Sequence, residues 1–192
     1  MEPKWHRITE EDIQSVPKAK IFGNEIDKYI QHACKEVLRA SLNRTDGFQY
    51  DEVAIIIDKN GKHRLLKTGN NGRVDSWDDD YTDLIVCADE LSLIFVHNHP
   101  NNSKLSFADL INLIPTATML GVIAVSNSGN VSYAIKIERD HDKYYKLYNY
   151  IVSRTNKFSE NKISQFDAGN KILNNPTAFG LKTGYSRRRR SK

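Results

Sequence analysis

A chain of 192 residues and 22.0 kDa is long enough to bury one core of ordinary size, with terminal extensions around it. Its 39% hydrophobic content lies outside the disordered range, and its apolar residues gather in short runs. The net charge of +4 hides an asymmetry: residues 1–150 carry 18 Lys/Arg against 22 Asp/Glu, and residues 151–192 carry 10 against 2. The main body therefore lacks the basic folded face that nucleic-acid binding needs.

Residues 1–22 are polar, contain Pro3 and Pro17, and read as a loosely attached lead-in. The opening MEPKWHRITEED has no apolar stretch behind its positive charge, so it is not a secretory signal. No run approaches the roughly 18 apolar residues of a membrane span. The expectation is a soluble cytoplasmic protein, with export by a route that reads no N-terminal signal left open. Cys34 and Cys87 have apolar or helical neighbours and read as two buried thiols in a reducing compartment.

From Asn24 the pattern changes. Ile26, Ile30, Ala33, Val37 and Ser41 fall on one stripe, flanked by Tyr29 and Leu38, which predicts an amphipathic helix to about Leu42. The β-branched run at residues 53–58 (VAIIID), the turn signal Lys59-Asn60-Gly61-Lys62 and the return run at 64–68 (RLLKT) predict a hairpin over 52–68. Ser76, with Asp79 three residues on, resembles a helix start, and Trp77, Tyr81, Leu84 and Ile85 supply its face.

Residues 91–96 (LSLIFV) are almost continuously apolar, the mark of a central strand covered on both faces. Ser106 opens a helix backed by Leu110, Leu113 and Ile114, which Pro115 kinks or ends. Residues 121–126 (GVIAVS) and 131–137 are strands around the turn Asn127-Ser128-Gly129-Asn130. Tyr144, Leu147, Tyr148 and Ile151 suggest a helix, and residues 163–173 another, both packing on the core. Helices interleaved with paired strands give an α/β fold, a mixed sheet sandwiched by helices.

The chemistry concentrates in Val96-His97-Asn98-His99-Pro100 and Ser106-Phe107-Ala108-Asp109. A buried strand ending in His-x-His puts both imidazoles on one face, because side chains alternate with period two. A short loop then leads to a helix whose first turn carries Asp109. Two nitrogens and one carboxylate can converge at the distances of about 2 Å that zinc needs, leaving a fourth position for water. Taken alone, Ser106 and Asp109 are a capping-box pair, and a lone His-x-His is often surface histidine. Together, two of the six histidines stand at a buried strand's exit with a carboxylate ten residues on.

His97-x-His99-Pro100, then Ser106-x-x-Asp109, with a Glu upstream at the start of a hairpin strand, resembles the JAMM (JAB, MPN+) metalloproteases. The run VHNHP also resembles the RadC proteins and the JAB-type domains of phage and toxin systems. The resemblance covers roughly residues 50–137. It implies a JAB/MPN, cytidine-deaminase-like architecture, with residues 23–140 forming the hydrolase domain. Outside the resemblance, the apolar pattern makes residues 141–180 a helical extension packing on the core, and the charge run makes 181–192 a basic disordered tail.

The resemblance also implies one zinc ion per chain held by His97, His99 and Asp109, with Glu52 as general base and Ser106 stabilising the tetrahedral intermediate. Asp51 is adjacent to Glu52, and the family's Glu immediately before the apolar strand selects Glu52. The loop from His99 to Ser106 is shorter than the family pattern and lacks its glycine.

The implied activity is a zinc peptidase or isopeptidase acting on a protein or peptide, including a ubiquitin-like or other tail. Two alternatives stand beside it: a RadC-like nucleic-acid-associated protein, and a non-enzymatic scaffold that keeps the fold. Phosphate contacts would then fall to Arg187, Arg188, Arg189 and Arg190. Zinc deaminases need a Pro-Cys-x-x-Cys string, which Cys34 and Cys87 do not form.

Overall fold

The computed structural model describes residues 6–43, 51–69, 79–100, 102–137, 141–159 and 164–188. In chain order these form α1 (Glu10–Gln14), α2 (Asn24–Asn43), β1 (Val53–Asp58), β2 (His63–Thr68), α3 (Asp79–Cys87), β3 (Leu93–His99), α4 (Phe107–Leu113) and β4 (Met119–Ser126). Then come β5 (Val131–Lys136), α5 (His141–Ser159), α6 (Gln165–Asn174), a 3-10 turn (Pro176–Phe179) and β6 (Leu181–Ser186). No helix among the described residues is long and apolar enough to cross a membrane.

The strands make one six-stranded mixed sheet in the order β2-β1-β3-β4-β5-β6. Only β3 and β4 run parallel; the other neighbours are antiparallel. A parallel pair needs a crossover, and α4 supplies it. Alternation along the central strands sends their side chains into two separate cores. Ile55, Ile57, Ile94, Val96, Ile123 and Val125 join Ile30, Ala33, Val37 and Leu38 of α2 on one face. Ile56, Leu93, Val122 and Ala124 join Leu110 and Leu113 of α4, with Leu147 of α5 and Ile172 of α6, on the other. The result is helices on both faces of a mixed sheet, with β3 covered on both sides.

Two expectations about the chain ends need correction. Within the lead-in, the described residues 6–22 are not loosely attached. Ile8, Ile13, Val16, Ala19 and Ile21 are buried in the α2-side core. Thr9 caps α1 in a capping box with Asp12, and Ile8 and Ile13 flank that cap in the positions of a hydrophobic staple. At the other end, residues 181–192 are not a disordered tail throughout, because 181–186 form edge strand β6 along β5. A Cβ on Gly184 would lie 2.3 Å from the Tyr133 hydroxyl, so this strand seats its glycine where its neighbour leaves no room.

Smaller differences have local causes. β3 runs on through His99, because the apolar run ends before the strand's hydrogen bonding does. α4 ends at Leu113 with Ile114 as its C-cap, so Pro115 lies outside the helix. Cys34 is buried as expected, but Cys87 is exposed at the last turn of α3. Ser76, Trp77 and Ile163 lie outside the described residues.

Candidate metal and catalytic centre

His97 and His99 are the last inward-facing residues of β3 on the α4 side of the sheet. The Cα partners of His97 on its two flanking strands are Ala54 of β1 and Ala124 of β4. Both neighbours are small, which leaves space over the strand for two imidazoles. Glu52 lies two residues before Ala54 and so shares its face, whereas Asp51 belongs to the opposite parity. Continued one step before β1, that periodicity favours Glu52 over Asp51, and Glu52 Oε1 indeed lies 3.7 Å from His97 Nε2.

Asp109 arrives from above. Ser106 is the N-cap of α4; its Oγ accepts from the Asp109 N–H, and the Asp109 carboxylate accepts from the Ser106 N–H. The capping-box reading and the site reading of this pair therefore hold together in one geometry. The cap fixes the carboxylate, and Phe107, Leu110 and Leu113 bury α4 against the sheet and set its height.

The polar atoms converge. His97 Nε2 lies 2.9 Å from His99 Nε2, 3.0 Å from Asp109 Oδ1 and 3.7 Å from Glu52 Oε1. His99 Nε2 lies 3.5 Å from Asp109 Oδ2. Ligands held tetrahedrally at zinc's bond lengths sit about 3.3 Å apart, and these separations bracket that value. His97 is fully buried, while His99 and Asp109 are at 8% and 9% exposure. Glu52, His97 and His99 form a group that could hold a metal ion.

The ring orientation of His99 fits that role. Its Nδ1 lies 3.2 Å from the Ser103 carbonyl and 2.9 Å from the Ser103 hydroxyl. A carbonyl only accepts, so Nδ1 carries the proton and the Nε2 lone pair faces the centre. His97 Nδ1 is buried without a hydrogen-bond partner among the described residues. The loop that delivers Ser103 is pinned at both ends. Asn102 donates to the His99 carbonyl and accepts from the Ser128 N–H, and the Leu105 N–H donates to Ser132 Oγ.

Electrostatically the centre couples two buried imidazoles to the carboxylates of Asp109 and Glu52. Burial alone would push the Asp109 carboxyl up, but His97 and His99 outweigh it and hold it well below the usual carboxylate range. Burial would likewise lower His99, but Asp109, the Glu52 charge and the Ser103 carbonyl raise it above its ordinary value. Two imidazole nitrogens 2.9 Å apart cannot both present bare lone pairs to each other: either one ring donates its N–H to the other, or a cation lies between them.

Four of the five expected site residues are thus brought together around His97 Nε2, and Ser106 stands beside them as the cap of α4. The arginines do not join them. Arg188 turns inward, its guanidinium paired with Asp12 and its N–H donating to Asn130 Oδ1. Arg187 is exposed, and Arg189 and Arg190 lie outside the described residues. Sequence reasoning missed Ser103, for which a short polar loop gives no periodic signal. It also passed over Asn98, whose signal was available: an amide in the middle of a doubly covered strand must be hydrogen-bonded to something. Comparison with family models, with curated proteins and with solved structures finds no match to this chain.

Proposed function

We propose that this chain is a zinc-dependent peptidase or isopeptidase of JAB/MPN type. The observation that carries the reading is the convergence of His97, His99 and Asp109 on one point, with the Glu52 carboxylate beside it. His97, His99 and Asp109 would hold the ion through two imidazole nitrogens and one carboxylate, the donor set of a catalytic zinc site. Bound there, zinc supplies Lewis acidity toward an amide carbonyl and lowers the pKa of water in the open position.

The protein's own groups do the rest. Glu52 accepts the water's proton and passes it to the leaving nitrogen. Asp109 keeps its negative charge under burial because the cap and both histidines favour it. The Ser106 cap uses an oxygen lone pair, so its hydroxyl proton can donate to the developing oxyanion. The substrate is a protein or peptide amide, with a lysine isopeptide bond within reach of the same chemistry. The inward pairing of Arg188 favours this hydrolytic reading over nucleic-acid binding by the basic run.

Purified protein should carry about one zinc per chain, and H97A, H99A and D109A should each lose most of it. E52Q should keep its metal and its melting behaviour but lose cleavage by several orders of magnitude. The check is metal analysis, followed by mass spectrometry of candidate protein substrates incubated with wild type and with E52Q. Identical fragment sets from the two proteins, or full metal content in all three ligand variants, would overturn the proposal.

A further inference from the structure

Between the two histidines, Asn98 points to the other face of β3 and is fully buried. Its side chain reaches across the strand to the segment that carries Glu52. Asn98 Oδ1 accepts from the Val53 N–H at 2.7 Å. Asn98 Nδ2 lies 3.4 Å from the Asp51 carbonyl, 3.3 Å from Ser41 Oγ and 3.2 Å from Asn127 Oδ1. The amide orientation follows from its partners, since a backbone N–H only donates and a carbonyl only accepts.

These bonds fall on the residues immediately before and after Glu52. Ser41 of α2 adds a third tie, donating to the Asp51 carbonyl at 2.8 Å. The Glu52 carbonyl is itself held by the Gly69 N–H at 2.8 Å. The peptide groups on both sides of Glu52 are therefore fixed, and the acid has little backbone freedom with which to swing from the histidines. Without these contacts, Glu52 would sit just before the first residue of β1, where a strand end is free to fray.

We infer that Asn98 is the positioning residue for Glu52: it reads the strand register from beneath the sheet and sets the acid's reach toward His97. One residue triplet, His97-Asn98-His99, thus serves both faces at once. The outer two present imidazoles, and the middle one aligns the carboxylate that works with them. The inference rests on the proposed zinc centre for what Glu52 does, but not for how Glu52 is held.

Two measurements test it separately. The first is amide hydrogen exchange, which needs no metal. N98A should speed exchange at Val53 about tenfold while leaving Ile55 and Ile57 unchanged. N127A, which cuts another of the Asn98 contacts, should leave Val53 protected. If N98A does not fold, Asn98→Ser carries the same comparison. A Val53 amide that is unprotected in wild type, or unaffected in the folded variant, overturns the inference.

The second is a double-mutant cycle read in the visible spectrum of the Co2+-loaded protein. E52Q should change the bands, N98A should change them in the same direction, and the double variant should add nothing to N98A. A purely structural Asn98 would lower the melting point yet leave the E52Q change undiminished in the N98A background, which overturns the inference. An E52Q spectrum identical to wild type would instead sink the zinc reading of Glu52, and Val53 exchange alone would then decide the role of Asn98.

Discussion

At the scale of single residues, the second nitrogen of each histidine separates two kinds of support. Ser103 holds His99 Nδ1 through both its carbonyl and its hydroxyl. Losing such an outer partner usually costs metal affinity by 10–100-fold, and here the carbonyl survives substitution, so S103A should weaken zinc binding by only about tenfold. Competition with a chromophoric chelator measures it, and unchanged affinity would show that the hydroxyl contributes nothing. A second residue-scale prediction lies far from the centre. Lys136 is buried with its Nζ donating to the Thr116 carbonyl at 2.8 Å, and burial lowers its pKa to about 8.

The folded state therefore releases the Lys136 proton at lower pH than the unfolded chain, which binds more protons between about pH 8 and the ordinary lysine range. Stability contributed at this site should rise with pH across that window by about 2–3 kcal/mol and level off on either side. In urea unfolding, K136M should lack this rise, so the wild-type minus variant difference grows from pH 7.5 to pH 10. A flat difference would contradict the assignment. Residue identity alone made the two histidines and Asp109 legible, because period-two alternation and a helix cap are local rules. The roles of Asn98 and Ser103 were not legible, because each depends on which distant backbone groups the fold brings beside it.

At the scale of elements, the fold was readable where apolar periodicity is strong and missed where a segment is short or half-exposed. α2 and β1 to β5 follow their patterns, and hairpin β1–β2 turns where Asn60-Gly61 says it should. α1 is only five residues long and its apolar partners are spread from Ile8 to Ile21, so no window shows a helical stripe. Its capping box Thr9-x-x-Asp12 was nonetheless present in the sequence. β6 is an edge strand in which Leu181 is the only buried apolar side chain, and its basic neighbourhood resembles a solvated tail.

Asp12 joins these two elements. Its carboxylate accepts from the Thr9 hydroxyl and N–H, meets His6 at 2.9 Å and pairs with Arg188. Burial would raise its pKa, but the Thr9 and His6 contacts prevail and lower it. A carboxylate depressed in the folded state stabilises above its unfolded pKa, and that contribution is lost as pH falls through the folded value. D12N should accordingly cost about 1–3 kcal/mol near neutrality, with the gap to wild type closing in acid. Denaturation at pH 7 and in the acid limb measures it, and a gap that is constant with pH would show that the charge is not what matters.

At the scale of the whole molecule, the centre lies where both halves of the sheet and α4 meet, so occupancy by a metal ion couples to global stability. Zinc at about 100 times its dissociation constant should add about 2.7 kcal/mol, raising the melting midpoint by about 5–10 °C over chelator-treated protein. H97A should show no such shift, and an equal shift in that variant would place the ion elsewhere. The pairing of Arg188 with Asp12, 176 residues earlier, has a consequence of a different kind. A chain made in order from its N-terminus exposes Asp12 long before its guanidinium partner exists. Gly129 waits likewise: its turn packs beneath Asp12, where a Cβ would come within 2.7 Å of the Asp12 carbonyl. The first five strands can assemble while the polypeptide is still being extended, but the clasp between Asp12 and Arg188 closes only after translation has passed Arg188. Until then the buried carboxylate has, among the described residues, Thr9 and His6 as its partners, and the rim beside β4 and β5 stays unclasped.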